Sequence, residues 1–416
     1  MTFSEAECRR CREDFPALSR TVAGKPVAFL DGPAGTQVPR QVVEAIVGYY
    51  ETANANTRGE FAASRATDEL IASVREKAAA FLGAPSWREV SFGHNMTTLT
   101  FSLSQALARE MRPGDEIVVT QLDHEANRGP WLNLAERGLV IREVALLPDG
   151  RLDADDFAKQ VNGRTRLVAV GLASNLLGTV NDAGLAVRLA RSVGAWVLFD
   201  AGHHAAHVPL DVVALDADFL LCSAYKFYGP HVGLLYCRPG LLDSLRTDKL
   251  RAQDDAAPFR IETGTLNHAA LAGVGAAIDY IASWGSGETL RRRIVSAMDG
   301  IAAYEHQLGA YYYDNVRAIP GVTVWGPDFA ERRAPTISIS VDGVHPDLVA
   351  RRLGELGLQV WSGDFYAVRA VEVLGLADKG GVVRTGVVMY NTREEIDRLL
   401  EGLNRTLRAL ATIPPG

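Results

Sequence analysis

Lysine is scarce in this sequence, and one lysine is out of place. It occurs at positions 25, 77, 159, 226, 249 and 379, and five of these sit among polar residues. Lys226 instead lies in LLCSAYKFYGPHVGLLYC, apolar on both sides. Burial disfavours a charged amine and lowers its pKa, which frees it for Schiff-base chemistry. A lysine can also reach the surface along its own stem, so the segment alone leaves both readings open. Asp200 ends the run WVLFD. A carboxylate there can hold the proton on a pyridinium nitrogen and keep a ring electron-poor, or it can cap a turn. His124 follows EIVVT and can stack on a flat ring or move protons. The segment Gly93-His94-Asn95-Met96-Thr97-Thr98 reads as a strand turning into a helix, whose exposed N–H groups suit a phosphate. It has no GKS or GKT, so it is not a nucleotide loop of the Walker type.

These residues need a frame. Short apolar strands alternate with helical stretches from about residue 60 to 275. The pattern predicts strands at 89–92, 116–120, 140–144, 166–171, 196–200, 219–222 and 233–237, and helices at 67–82, 97–109, 130–137 and 183–193. Runs such as LVAVGLA and WVLFD suit strands buried on both faces of an open, mostly parallel sheet. Ligands of such sheets sit beyond the carboxyl ends of the strands, where the polar residues of this sequence gather.

After residue 276 a long helix at 287–308 leads into a smaller α/β unit. Its strands are expected at 322–325, 336–341 and 382–388, its helices at 346–356 and 392–410. The expected organisation is an N-terminal segment 1–30 packing with that unit, a large unit 31–275 and a small C-terminal unit 276–416. Gly273-Val274-Gly275 lacks the third glycine and the preceding strand of a dinucleotide fingerprint, which argues against a nicotinamide dehydrogenase.

The chain has 416 residues, 47% hydrophobic and 22% charged, with a net charge of −7 and no basic stripe. Nucleic acid is therefore not an expected partner. No run of 18 apolar residues suggests a membrane span, and no apolar leader precedes the charged start. Cys8, Cys11, Cys222 and Cys237 are too few for a disulfide framework, and a reducing cytoplasm is expected. The Cys8/Cys11 pair lacks a second pair to complete a zinc site, and His203, His204 and His207 lack evident carboxylate partners. No metal is expected.

The quoted segments carry a resemblance. From about Phe29 to Leu403 the chain resembles class V aminotransferases, enzymes of fold type I that use pyridoxal 5'-phosphate (PLP), and within them the cysteine desulfurase-like branch. The resemblance implies an α/β fold with a large PLP-binding unit and a smaller C-terminal one. It implies an imine on Lys226 in SAYKFYG, phosphate contacts from Asn95, Met96 and Ser223, and ring stacking by His124 in DHEANRGPW. Asp200 in DAGHHAAH becomes the pyridinium partner, and Asn175 in SNLLGTVND a contact to the phenolic oxygen and to substrate. Thr265 in RIETGTLNH implies a phosphate contact across a homodimer, and Arg384 in RTGVVMYN a fork for the substrate carboxylate.

Departures from the family's pattern bear on the reaction. His203 stands where Gln is frequent, and Tyr225 where His is frequent. The loop Ser362 to Ala367 carries Tyr366 where desulfurases place a persulfide-forming cysteine. Loss of the α-proton to Lys226 is the expected first chemical event. The expected reaction is C–S cleavage, of lyase or desulfurase type, on cysteine or a conjugate; the alternatives are transamination or epimerisation, or a non-catalytic PLP-binding protein.

Overall fold

The protein is described by a computed structural model covering residues 3–411. Seven strands form its main sheet: β1 (Val90–Gly93), β2 (Glu116–Thr120), β3 (Val140–Val144), β4 (Thr165–Gly171), β5 (Trp196–Asp200), β6 (Phe219–Ser223) and β7 (Gly233–Cys237). Their order across the sheet is β1-β7-β6-β5-β4-β2-β3. Strand β7 runs antiparallel to both neighbours and every other pair is parallel. The reversal follows from chain length: residues 224–232 join β6 to β7 without a crossover helix, and parallel strands need one.

Alternate residues of each strand point to opposite faces. Val118, Val168, Val197, Phe199, Leu220 and Leu234 enter one apolar cluster. Ile117, Val119, Leu167, Leu198, Leu221 and Leu235 enter another on the opposite face. Burial on both faces explains why these strands read as continuous apolar runs. All of it holds the carboxyl ends of β2, β4, β5 and β6 in register, with Gly171 beside Asp200 and Asp200 beside Leu221.

A second, four-stranded sheet is antiparallel, ordered β8 (Val322–Trp325), β9 (Thr336–Val341), β11 (Val382–Gly386), β10 (Trp361–Gly363). The helices Leu290–Val316, Pro346–Glu355 and Arg393–Ala411 pack around it. The N-terminal segment joins this layer. Ala28–Phe29 pairs in parallel with Leu358–Gln359, Arg12 salt-bridges Glu395 at 2.9 Å, and the Cys8 thiol donates to the Asn391 carbonyl at 3.1 Å.

Two helices absent from the sequence reading, Arg40–Thr52 and His268–Ser283, pack on each other. The second is continuous across the border expected at 275/276. Gly273 and Gly275 account for its weak signal, since glycine disfavours helix. A Cβ at Gly273 would stand 3.0 Å from Ile46, and one at Gly275 3.0 Å from Val74. These glycines serve close helix packing, which is what the dinucleotide-like fragment is. The helix expected at 130–137 is instead a short α-helix, Gly129–Leu132, followed by a 3-10 turn, Asn133–Arg137.

Candidate active site

Five connections leave the sheet on one side and bring their polar residues together. Lys226 follows β6 in a 3-10 turn, Ala224–Lys226. Its amine donates to the carbonyl oxygens of Pro33 and, at 3.2 Å, Ala34. Both acceptors are uncharged, so burial dominates and lowers the amine's pKa to about 7, with Arg384 adding to the effect. Asp200 closes β5 and accepts the Gly202 N–H at 2.7 Å. Burial pushes its carboxyl up to about 6. An acid in this state gains from a cationic N–H partner, which is what a pyridinium offers.

His124 caps the turn after β2 by accepting the Ala126 N–H on Nδ1 at 3.0 Å. That bond leaves the proton of the neutral ring on Nε2. Burial and the charges of Lys226 and Arg384 lower its pKa to about 4, so the ring is neutral near pH 7. Asp123, beside it, accepts from Gly171 N–H at 2.9 Å and Asn127 Nδ2 at 3.0 Å. Burial and the nearby Asp200 raise it to about 7. It braces the ends of β2 and β4 from within.

The fork expected at Arg384 lies on β11, 3% exposed. Its Nη1 donates to the Asn175 carbonyl at 3.1 Å, and its guanidinium sits 3.8 Å over the Phe365 ring. Its Nε is buried without a partner among the described residues. Burial lowers its pKa to about 9. Asn175 turns its amide to Phe365, donating to that carbonyl at 2.9 Å. Phe365 and Tyr366 both have positive φ, 57° and 56°, a conformation costly for aromatic residues. The Glu125 N–H, donating to the Tyr366 carbonyl at 2.7 Å, also pins the loop. The Tyr366 ring, 70% exposed, lies 5.6 Å from the His124 ring.

The strand-to-helix turn is present: β1 ends at Gly93 and a helix runs Met96–Ala108. Asn95 caps that helix through Thr98 N–H, and Met96 N–H donates to Ser223 Oγ at 2.9 Å. Tyr225 stacks on His231, ring centroids 4.6 Å apart. His203 Nε2 lies 2.9 Å from Thr336 Oγ1. Thr265 stands apart, exposed on the loop before the helix His268–Ser283.

Residues 28–399 match the family described as "Aminotransferase class-V". The chain belongs to the class V aminotransferases. It is 34% identical to the cysteine desulfurase of Salmonella agona over 96% of this chain and 98% of that one. It is 36% identical to a probable cysteine desulfurase of Streptomyces coelicolor, covering 94% and 95%. Among solved structures it resembles the apo cysteine desulfurase of Thermococcus onnurineus NA1 with a TM-score of 0.87 and 27% identity, covering 96% of this chain and 98% of that one. The S-sulfonic acid form of an Escherichia coli cysteine desulfurase gives 0.85 and 26%, covering 97% and 98%. As a class V aminotransferase the protein is a PLP-dependent enzyme of fold type I.

The residues present fit that cofactor. An amine poised near neutrality, a carboxyl seeking an N–H partner and a helix N-terminus converge. The cradle also has a built feature the sequence reading missed: a Cβ at Gly233 would stand 2.4 Å from the carbonyl carbon of Asn95 and 2.8 Å from Met96 N. Only glycine lets β7 approach the helix start so closely. We expect Gly233→Ala to displace Asn95 and Met96 and weaken cofactor binding about tenfold or more, given that overpacking costs ~1–3 kcal/mol. Titration of cofactor-free protein with PLP, read by visible absorbance, measures it.

The sequence reading also passed over Asp31 and Phe365. Asp31 accepts from Trp361 Nε1 at 3.3 Å and leaves Oδ1 buried without a partner among the described residues. Its charge favours the protonated Arg384. It lies in LDGPAGT, a turn-like segment just before the large unit's helices.

Proposed function

We propose that the protein cleaves the C–S bond of cysteine or a cysteine conjugate with PLP held on Lys226 and without a thiolate of its own. Asp200 keeps the proton on the ring nitrogen; Ser223, Met96, Asn95 and Tyr225 hold the phosphate; His124, Asn175 and His203 hold the ring. When bound, the cofactor withdraws electrons from the substrate's α-carbon. Arg384 grips the substrate carboxylate through its two-pronged guanidinium, and Phe365 shields that pair from water. The Lys226 amine takes the α-proton. His124 offers its Nε2 proton to the departing sulfur, with Tyr366 at the same side of the loop.

The observation that carries this reading is the loop. No cysteine follows position 237, and Ser362 to Ala367 brings a tyrosine to its tip. All four cysteines are buried elsewhere, and burial pushes the thiols of Cys222 and Cys237 up, away from the thiolate. Incubation with cysteine is expected to give pyruvate, ammonia and sulfide, and an S-conjugate to give the free thiol. Prior treatment with iodoacetamide should leave the rate within about twofold, since the thiolate is the reactive form. Alanine formation abolished by alkylation would contradict the proposal. Keto acid together with the amine form of the cofactor would make it a transaminase.

We also infer a homodimer. Val43, Val47 and Tyr50 of the helix Arg40–Thr52 are 46%, 46% and 57% exposed, one turn apart, and Phe61 and Leu250 are 58% and 65% exposed. A second copy would cover such apolar surface, and Thr265 stands ready to reach the partner's phosphate site. Four unpaired thiols fit a reducing cytoplasm. Among the described residues no helix is long and apolar enough to cross a membrane.

A further inference from the structure

The loop Ser362 to Ala367 holds its tyrosine in a costly conformation. Phe365 and Tyr366 are consecutive aromatic residues with φ of 57° and 56°, in the left-handed region that side chains other than asparagine and aspartate rarely enter. For Phe365 the packing accounts for it. Its ring is 9% exposed, joins an apolar cluster with Leu122, Leu176 and Val371, and lies 3.8 Å from the Arg384 guanidinium. Tyr366 has no such return. Its side chain is 70% exposed, the most exposed large apolar one among the described residues. The backbone around it is nonetheless fixed. Tyr366 N–H donates to Asp364 Oδ1 at 2.9 Å, its carbonyl accepts from Glu125 N–H at 2.7 Å, and the Phe365 carbonyl accepts from Asn175 Nδ2 at 2.9 Å. One exposed ring is ordinary. An exposed ring held at a backbone cost is not, and such strain collects at ligand clamps.

Position says what the ring meets. Phe365 touches the fork for the substrate carboxylate, and the next residue, Tyr366, faces the His124 ring, centroids 5.6 Å apart and planes at 36°. On the C–S cleavage reading above, on which this inference rests, the carboxylate sits at Arg384 and the sulfur at His124 Nε2. The group beyond the sulfur then leaves the site along Tyr366. We propose that Tyr366 is a platform for that group, and that the group is an uncharged aromatic ring, which makes benzyl- and aryl-type thioethers of cysteine the preferred substrates. Two rings in offset or edge-to-face contact gain beyond the apolar area they bury. The charge beside the platform fits an uncharged group. Its neighbours Asp364 and Glu125 are both acidic, and the cation that reaches Glu125, Arg128 at 3.2 Å, is shared with Glu143. An anionic substituent would meet repulsion there.

The test uses the full-length protein loaded with PLP and two thioethers, S-benzylcysteine and S-methylcysteine. Dissociation constants are read from the change each causes in the visible band, and turnover from the thiol released. The wild type should bind S-benzylcysteine about tenfold tighter or more. Tyr366→Asn removes the ring and suits the left-handed backbone, so the loop keeps its form. In that variant the benzyl preference should fall about fivefold or more, in binding and in kcat/KM alike. Tyr366→Phe keeps the ring face and should hold the preference within about twofold. Comparing the same two thioethers in variant and wild type cancels the leaving tendency of each thiol. Equal binding of the two by the wild type overturns the proposal. So does a folded Tyr366→Asn variant with the wild-type preference. Benzyl-selective binding that Tyr366→Asn abolishes, but with no thiol released, upholds the platform and counts against the C–S reading alone, because the dissociation constants decide the platform without turnover.

Discussion

Lys226→Met is expected to lose turnover by about 10²–10⁴-fold or more, the range that a positioned acid–base group supplies, and to lose the visible band of the bound cofactor. The argument is local. Among the described residues the amine's hydrogen-bond partners are backbone carbonyls, and burial brings its pKa from 10.5 to about 7, so at neutral pH a large fraction is unprotonated and nucleophilic. The same burial predicts a stability effect of known sign. Between about pH 7 and 10.5 the unfolded chain keeps a proton that the folded cofactor-free protein has released. Stability therefore rises with pH across that window, and below pH 7 the full cost of the buried cation is present. Lys226→Met removes that cost. In cofactor-free protein its Tm should exceed the wild type's at pH 7 and below, and the advantage should shrink toward pH 10. A variant that keeps turnover, or whose Tm advantage is the same at both ends of the window, would contradict this account. The residue is destabilising because it is useful, a trade that is common at active sites.

Arg384→Ala is expected to raise KM for an amino-acid substrate by about 30-fold to several thousand-fold. Removing one partner of a buried, hydrogen-bonded charge pair costs ~2–5 kcal/mol, and each ~1.4 kcal/mol is tenfold. The site is prepared for this role. Nε has no partner among the described residues, Phe365 excludes water from one face of the guanidinium, and Asp31 supports its charge. Arg384→Lys keeps the charge but not the fork, and should recover only part of the loss. Steady-state kinetics separate the alternatives. A rise in KM with a smaller change in kcat marks lost carboxylate binding. An unchanged KM would remove Arg384 from the substrate site.

The sheet was readable because its strands are buried on both faces, which leaves apolar runs broken only at the ends where ligands bind. Lys226, Asp200, His124 and Ser223 stood out as polar residues at those breaks. Asn175 stood at such a break too, beside Ser174, but its role came from resemblance, as did that of Arg384, whose own neighbourhood does not distinguish it. What escaped has a common cause. The helix Arg40–Thr52 carries Val42 and Tyr49 inward and Val43, Val47 and Tyr50 outward, so no single apolar stripe marks it. Glu305, the carboxylate partner of His207 at 2.7 Å, lies 98 positions from it, inside a helix whose charged residues look like a solvated face. Gly233 matters only because another segment's backbone lies against it, and Phe365 only because its loop folds back over Arg384. Contacts between distant segments are what a single sequence does not display.

The most direct test is chemical. Purified protein loaded with PLP should be treated with borohydride and digested, and the peptide spanning SAYKFYG weighed. The predicted result is that peptide heavier by one reduced pyridoxyl phosphate, with fragmentation placing the added mass on Lys226. An unmodified peptide, or the label on another lysine, would contradict the assignment on which every other role in the site depends.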